Sequence, residues 1–120
     1  MAYDDNNIFA RILRGEIPST KIYEDEHVLA IKDINPQAPT HILVMPKGKY
    51  VSFDDFSMKA SDAEIAALTR AVGRLAREAG VAEAGYRLIV NHGANGGQEV
   101  PHLHVHILGG NRLGRMVSRE

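Results

Sequence analysis

The chain has no cysteine. It therefore carries neither a disulfide framework nor a cysteine-ligated zinc site. No apolar run approaches the ~20 residues that a membrane-spanning helix needs. The first residues, Met1-Ala2-Tyr3-Asp4-Asp5-Asn6-Asn7, are polar and acidic, unlike a secretory leader. Excess charge is missing as well: 14 lysines and arginines stand against 15 aspartates and glutamates, a formal net charge of −1. Such a balance gives no electrostatic footprint for a nucleic-acid groove or an anionic membrane. These absences predict a cytoplasmic protein with neither nucleic acid nor membrane as a partner. The 120 residues, 44% of them hydrophobic, predict a single domain over residues 1–120 with its own core.

Residues 1–7 read as a flexible tail ending in asparagines suited to cap a helix. Ile8, Phe9, Ile12 and Leu13 recur at helical spacing and Gly15 supplies a stop, so a short amphipathic helix follows. Pro18 breaks the path. Lys21-Ile22-Tyr23-Glu24 and Val28-Leu29-Ala30-Ile31 predict two strands around the turn Asp25-Glu26-His27. Asn35-Pro36-Gln37-Ala38-Pro39 is a loop, because each proline pushes its predecessor out of helix. His41-Ile42-Leu43-Val44-Met45 is a third strand, ended by Pro46. Ser61-Asp62-Ala63-Glu64 is a capping box that opens a long helix. Its apolar stripe is Ile65, Leu68, Val72, Leu75 and Ala79, and Gly80 fits just past its end. Gly73 weakens its interior by ~1 kcal/mol relative to alanine. Tyr86-Arg87-Leu88-Ile89-Val90 is a fourth strand, followed by a glycine-rich loop from Gly93 to Gly97. Strand runs with segregated helices predict an α+β fold on an antiparallel sheet.

Half of the six histidines fall in the run His102-Leu103-His104-Val105-His106-Ile107-Leu108. Its apolar residues favour a fifth strand. Strand side chains alternate between faces, so the three imidazoles share one face and Leu103, Val105 and Ile107 bury the other. Three readings follow. A solvated histidine-rich face explains one imidazole more easily than three. A zinc site takes two or three histidines, with Glu99 and His41 as candidate further ligands. Covalent phosphoryl or nucleotidyl chemistry uses one histidine as nucleophile while its neighbours manage protons. The preceding Asn95-Gly96-Gly97-Gln98 tilts the balance toward phosphorus, since such a loop can turn its amides inward as an anion nest. A Walker-type loop is absent from the sequence, which excludes P-loop chemistry.

The histidine run resembles the signature of the histidine triad (HIT) superfamily. The likeness extends over about residues 8–110 to the Hint branch, through Ile8-Phe9, Arg14-Gly15-Glu16-Ile17-Pro18, Asp33-Ile34-Asn35-Pro36-Gln37-Ala38-Pro39-Thr40-His41, Gly85-Tyr86-Arg87, Asn91, Gly96-Gly97-Gln98 and Leu108-Gly109-Gly110. The resemblance implies a five-stranded antiparallel sheet with one short and one long helix. It implies a homodimer that extends the sheet, joined through residues 61–80 and 86–91. The implied activity is hydrolysis of purine nucleoside phosphoramidates, including adenylated amines, to the nucleoside monophosphate. By position, His104 is the implied nucleophile that forms a nucleotidyl-histidine. His106 contacts phosphate and manages protons, His102 orients the nucleophile, and His41 is a relay. General acid assistance to a leaving amine contributes ~100- to 10,000-fold, so no metal or other cofactor is required. Ile8, Phe9, Ile12, Ile31 and Ile34 match a purine-base pocket with Lys32 at its edge. Asp33 matches a ribose carboxylate, and Asn91, Gly97 and Gln98 match phosphate-loop positions.

The chain departs from the branch at four places, one of them Lys32, whose position at the base-pocket edge bears on base preference. Glu99 stands where many animal members have serine, so its backbone amide is the expected phosphate contact. Pro101 replaces an aromatic residue, and the tail from Asn111 to Glu120 matches weakly. His27 and His92 match no functional position and read as surface residues. Other branches offer alternatives. His106 speaks against the nucleotidyl-transferring branch, which has glutamine there, and the DNA-end-processing branch adds a zinc finger. Cleavage of dinucleoside polyphosphates is the nearest enzymatic alternative, and a non-catalytic nucleotide-binding scaffold dimer the nearest non-enzymatic one.

Overall fold

The computed structural model describes residues 2–117. Met1 and residues 118–120 of the expected tails lie outside the described residues. Helix α1 (Ile8–Leu13) is followed by strands β1 (Lys21–Glu24), β2 (Val28–Lys32) and β3 (Thr40–Pro46). Helices α2 (Phe53–Lys59) and α3 (Asp62–Glu78) precede strands β4 (Tyr86–Ile89) and β5 (Val105–Gly109). The strands form one antiparallel sheet in the order β1-β2-β3-β5-β4. The expected short and long helices are both present, with α2 as a further short helix between them. Among the described residues no helix is long and apolar enough to cross a membrane.

Pleat alternation divides the sheet into two unlike faces. Val28 and Ala30 of β2, Ile42 and Val44 of β3, and Val105 and Ile107 of β5 pack on one face against Leu68, Val72 and Leu75 of α3. The residues between them, Leu29, Ile31, Leu43 and Met45, pack on the other face against Phe9 and Ile12 of α1. Successive strand residues point to opposite sides, so β2 is buried on both and has no polar position before Lys32. The short α1 covers only part of its face. The uncovered part is where the histidines emerge.

The helix ends follow from their capping residues. Glu64 N–H donates to Ser61 Oγ at 3.1 Å and Ser61 N–H to Glu64 Oε1 at 3.0 Å, the reciprocal pair the sequence predicts. Gly80, at φ +77°, takes the left-handed turn after α3. In α2 the Asp55 carboxylate accepts from the amides of Val51 and Ser52, both at 2.8 Å. Phe56 is its only buried residue, so α2 has no apolar periodicity to signal it.

The histidine strand begins later than its sequence predicts. Ladder pairing runs from Val105↔Val44 to Gly109↔Thr40. Pro101 has no amide to donate, His102 N–H turns back to Val100 O at 2.9 Å, and Leu103 N–H goes to Tyr50 O at 2.9 Å. Alternation nevertheless persists through this irregular entry. Leu103 joins the α3 core, while His102 and His104 lie against Phe9.

Leu75 is 2% exposed between α3 and the sheet. Leu75→Ala should lower unfolding free energy by about 2–5 kcal/mol, read from urea denaturation at fixed protein concentration. A loss below about 1 kcal/mol would mean that this interface repacks around the cavity.

Candidate active site

His104 and His106 open onto a cavity of about 450 Å³. Ile8 and Phe9 from α1, Ile31 from β2 and Leu43 from β3 supply its apolar wall. Lys32, Asp33 and Ile34 come from the end of β2, and Asn91, Gly97, Glu99 and Val100 from the loop beyond β4. Ile34 is 93% exposed at the mouth. Most of the residues singled out in the sequence thus converge on one space. Leu43 and Val100 also line it and were not anticipated. Leu43 reads as an ordinary core residue, and only its pairing with His106 across the β3–β5 ladder reveals it.

Four anticipated residues lie outside the cavity wall, one of them His41, which reaches the cavity only through its 2.8 Å bond to His106 Nδ1. Ile12 is buried behind Phe9 in the core. His102 is fully buried, with no access to the cavity. Gln98 turns away: its amide donates to Val51 O at 2.6 Å and Val100 O at 3.0 Å, and its oxygen accepts from Gly93 N–H at 3.0 Å. Every polar atom of that side chain is used to clamp the loop.

The expected anion nest is also changed. Gly97 N–H donates to Ala94 O and Gln98 N–H to Gly93 O, both at 3.1 Å, so these amides close the loop on itself. Among the described residues, the Glu99 amide makes no such bond and remains available at the cavity wall. The glycines serve the turn. Gly97 lies at φ +75°, and a side chain on Gly96 would meet His92 O at 2.4 Å.

Hydrogen-bond partners assign the protons on each imidazole. His104 Nδ1 lies 2.7 Å from His102 O, a carbonyl that can only accept. His104 Nδ1 therefore carries the hydrogen and Nε2 the free lone pair. Gln37 N–H donates to His41 Nδ1 at 3.0 Å, which leaves the hydrogen of His41 on Nε2. His41 Nε2 lies 2.8 Å from His106 Nδ1 and 3.4 Å from Asp33 Oδ2. His106 Nδ1 accepts, so its own hydrogen sits on Nε2. The site thus offers one lone pair, on His104, beside one N–H donor, on His106; their rings are 5.0 Å apart.

Burial keeps these rings neutral. It pulls His102 and His106 down to about 4 from the ordinary 6.5, and mutual repulsion with His104 adds to the shift. His104 and His41 are lowered too, chiefly by burial, with Asp33 opposing the shift in both. A neutral imidazole is the nucleophilic form.

Donor atoms of Asp33, His41 and His106 lie within 4.8 Å of one another, close enough to consider a metal. Tetrahedral zinc holds two imidazole nitrogens roughly 3.3 Å apart. The His41–His106 nitrogens are at 2.8 Å with a hydrogen between them, the geometry of a shared proton. Metal binding would require that proton to leave and the rings to separate.

The sequence and the fold are similar to those of known proteins. The profile of the HIT domain family matches residues 14–113. A 13.2 kDa HIT-like protein of Azospirillum brasilense is 64% identical over 117 residues, covering 98% of this chain and 96% of the relative. The purine nucleoside phosphoramidase of Escherichia coli strain K12 is 43% identical over 116 residues, covering 97% of each chain. A histidine triad protein from Clostridium difficile superposes with a TM-score of 0.83 at 44% identity, covering 97% of this chain and all of that one.

The depressed histidines make stability depend on pH. Unfolded histidine takes up a proton near 6.5, whereas native His102 resists until about 4. Stability should therefore fall as pH drops through that window, by up to about 1.4 kcal/mol per pH unit for His102. His106 acts in the same direction, less strongly because its ring borders water in the cavity. Urea midpoints should be lower at pH 5 than at pH 7; equal midpoints would contradict the buried neutral network.

Proposed function

The chain belongs to the HIT domain family, and from that premise we propose that it hydrolyses the phosphorus–nitrogen bond of purine nucleoside phosphoramidates. The observation that carries this reading is the pairing of a free lone pair on His104 Nε2 with an N–H on His106 Nε2 in one cavity. A nucleophile and a proton donor side by side suit displacement of a poor leaving group such as an amine.

In the first step His104 Nε2 bonds to phosphorus as the phosphorus–nitrogen bond breaks. The leaving nitrogen takes up a proton from solvent, passed through His106 Nε2, so the amine departs neutral and the His106–His41 pair keeps both of its hydrogens. The adduct is a nucleotidyl-histidine whose positive ring stays hydrogen-bonded to His102 O. In the second step water bonds to phosphorus through oxygen and His104 departs as a neutral ring. The water proton passes back to solvent by the same route, and the nucleoside monophosphate is released. Every group in the cycle is restored, with no cofactor required. His41 and Asp33 hold the proton-sharing geometry, and the free amide of Glu99 takes a phosphate oxygen.

The apolar wall of Ile8, Phe9, Ile31 and Ile34 suits a purine face, with Lys32 at the edge. Asp33, with 18% of its side chain exposed, is placed to accept from ribose hydroxyls. A homodimer is part of the same reading. On the α3 side, exposed Tyr86, Leu88 and Val90 border a groove of about 550 Å³ with Phe53, Ile65 and Gly73. β4 is also a sheet edge with unpaired backbone groups. A second copy would cover both the groove and the edge.

Chelator-treated protein should release AMP from adenosine phosphoramidate, and His104→Ala should lose at least about a thousandfold in kcat. No release by wild type, or undiminished release by His104→Ala, sinks the proposal. Release that needs added zinc would favour a metal enzyme, and faster cleavage of a dinucleoside polyphosphate would move the substrate class. Sedimentation should give the mass of two chains, and Leu88→Arg should give one.

A further inference from the structure

The N-terminal segment, read from sequence as a tail, makes a specific set of contacts. Tyr3 Oη lies 2.5 Å from His102 Nδ1, with the two rings edge-to-face at 5.6 Å. The segment is tied down between this contact and α1. Arg14 Nη1 donates to Asp5 O at 2.7 Å, Lys49 Nζ pairs with Asp5 Oδ1 at 2.8 Å, and Asn7 caps α1 through Ala10 N–H at 2.9 Å. Residues 3–7 therefore form a strap from α1 to the entry of the histidine segment.

The polarity of the Tyr3 bond is fixed by what lies on the other side of His102. His102 Nε2 is 2.8 Å from Pro46 O, which can only accept, so Nε2 holds the hydrogen. His102 Nδ1 then holds a lone pair with no exposure to water, and Tyr3 supplies its donor. Burial pushes the Tyr3 phenol up from its ordinary value, which keeps it in the donating form.

We propose that Tyr3 is a positioning residue for the nucleophile. It fixes the His102 ring, and through it the His102 carbonyl that sets the tautomer of His104. This rests on the reading of His104 as the nucleophile. Without the Tyr3 hydroxyl, neither tautomer of His102 satisfies its site. With hydrogen on Nε2, Nδ1 is left bare. With hydrogen on Nδ1, the lone pair of Nε2 faces Pro46 O. The ring must shift, and the shift has two routes to His104: the His102 O···His104 Nδ1 bond, and Phe9, whose ring touches both imidazoles at centroid distances of 6.3 and 4.8 Å.

The test is Tyr3→Phe, which keeps the ring and removes one oxygen. Nitrogen-15 NMR of the ligand-free protein should show His102 Nδ1 moving toward a free lone pair and the His104 ring nitrogens moving with it. On adenosine phosphoramidate kcat should fall about five- to tenfold, with KM held within about twofold. Unmoved His104 resonances in the folded variant overturn the proposal, as does a loss carried by KM alone. If the wild type turns over no phosphoramidate, the hydrolase reading falls, and the nitrogen resonances alone support or overturn the coupling.

Discussion

The bond from His104 Nδ1–H to the carbonyl of His102 spans two residues of one chain, and the chemistry depends on it. A neutral imidazole has one donor and one acceptor, and its reactivity depends on which nitrogen is which. By holding the hydrogen on the inner nitrogen, the backbone presents the lone pair to the cavity. The same logic runs in the opposite sense through Gln37, His41 and His106, where a backbone amide begins the chain and a donor ends it. Backbone groups thus set both ends of the site. They are more rigid than side chains, and rigidity is what a preorganised site requires.

Such a network is demanding because it is dry. Buried polar groups without partners are costly, and partial satisfaction is worse than none. Among the described residues no buried side-chain nitrogen or oxygen lacks a partner. His102 shows how this is achieved: an imidazole with no exposure to solvent meets a carbonyl on one nitrogen and a phenol on the other. Low dielectric around the rings keeps them neutral and strengthens any charge interaction that forms during reaction.

Much of this was legible in the sequence, for a definable reason. Alternation in β5 and β3, the Ser61–Glu64 cap and the stripe of α3 are local patterns with strict geometric consequences. The convergence of Ile8, Phe9, Asp33 and Asn91 was reached only through family resemblance, because their sequence separation leaves no local signal. The side chain of Gln98 is spent on closing its own loop, and a glycine-rich sequence does not reveal which polar atoms are used that way. Helix α2 carries a cap in Ser52-Phe53-Asp54-Asp55, but its single buried Phe56 gives no apolar period to mark it. The contact of Tyr3 with His102 joins residues 99 positions apart and has no sequence signature at all.

One sheet serves two purposes here, with the α3 core under one face and the imidazoles on the other. The division is kept by parity alone, since Leu103, Val105 and Ile107 interleave with His102, His104 and His106. Insertion or deletion of one residue at the start of this segment would exchange the two sets. Imidazoles would enter the oily side and leucine would face the substrate. Substitutions in the segment can therefore be absorbed one at a time, whereas a change in its length ends folding and chemistry together. During divergence, length changes should collect in the loops and tails and be purged between Pro101 and Gly109.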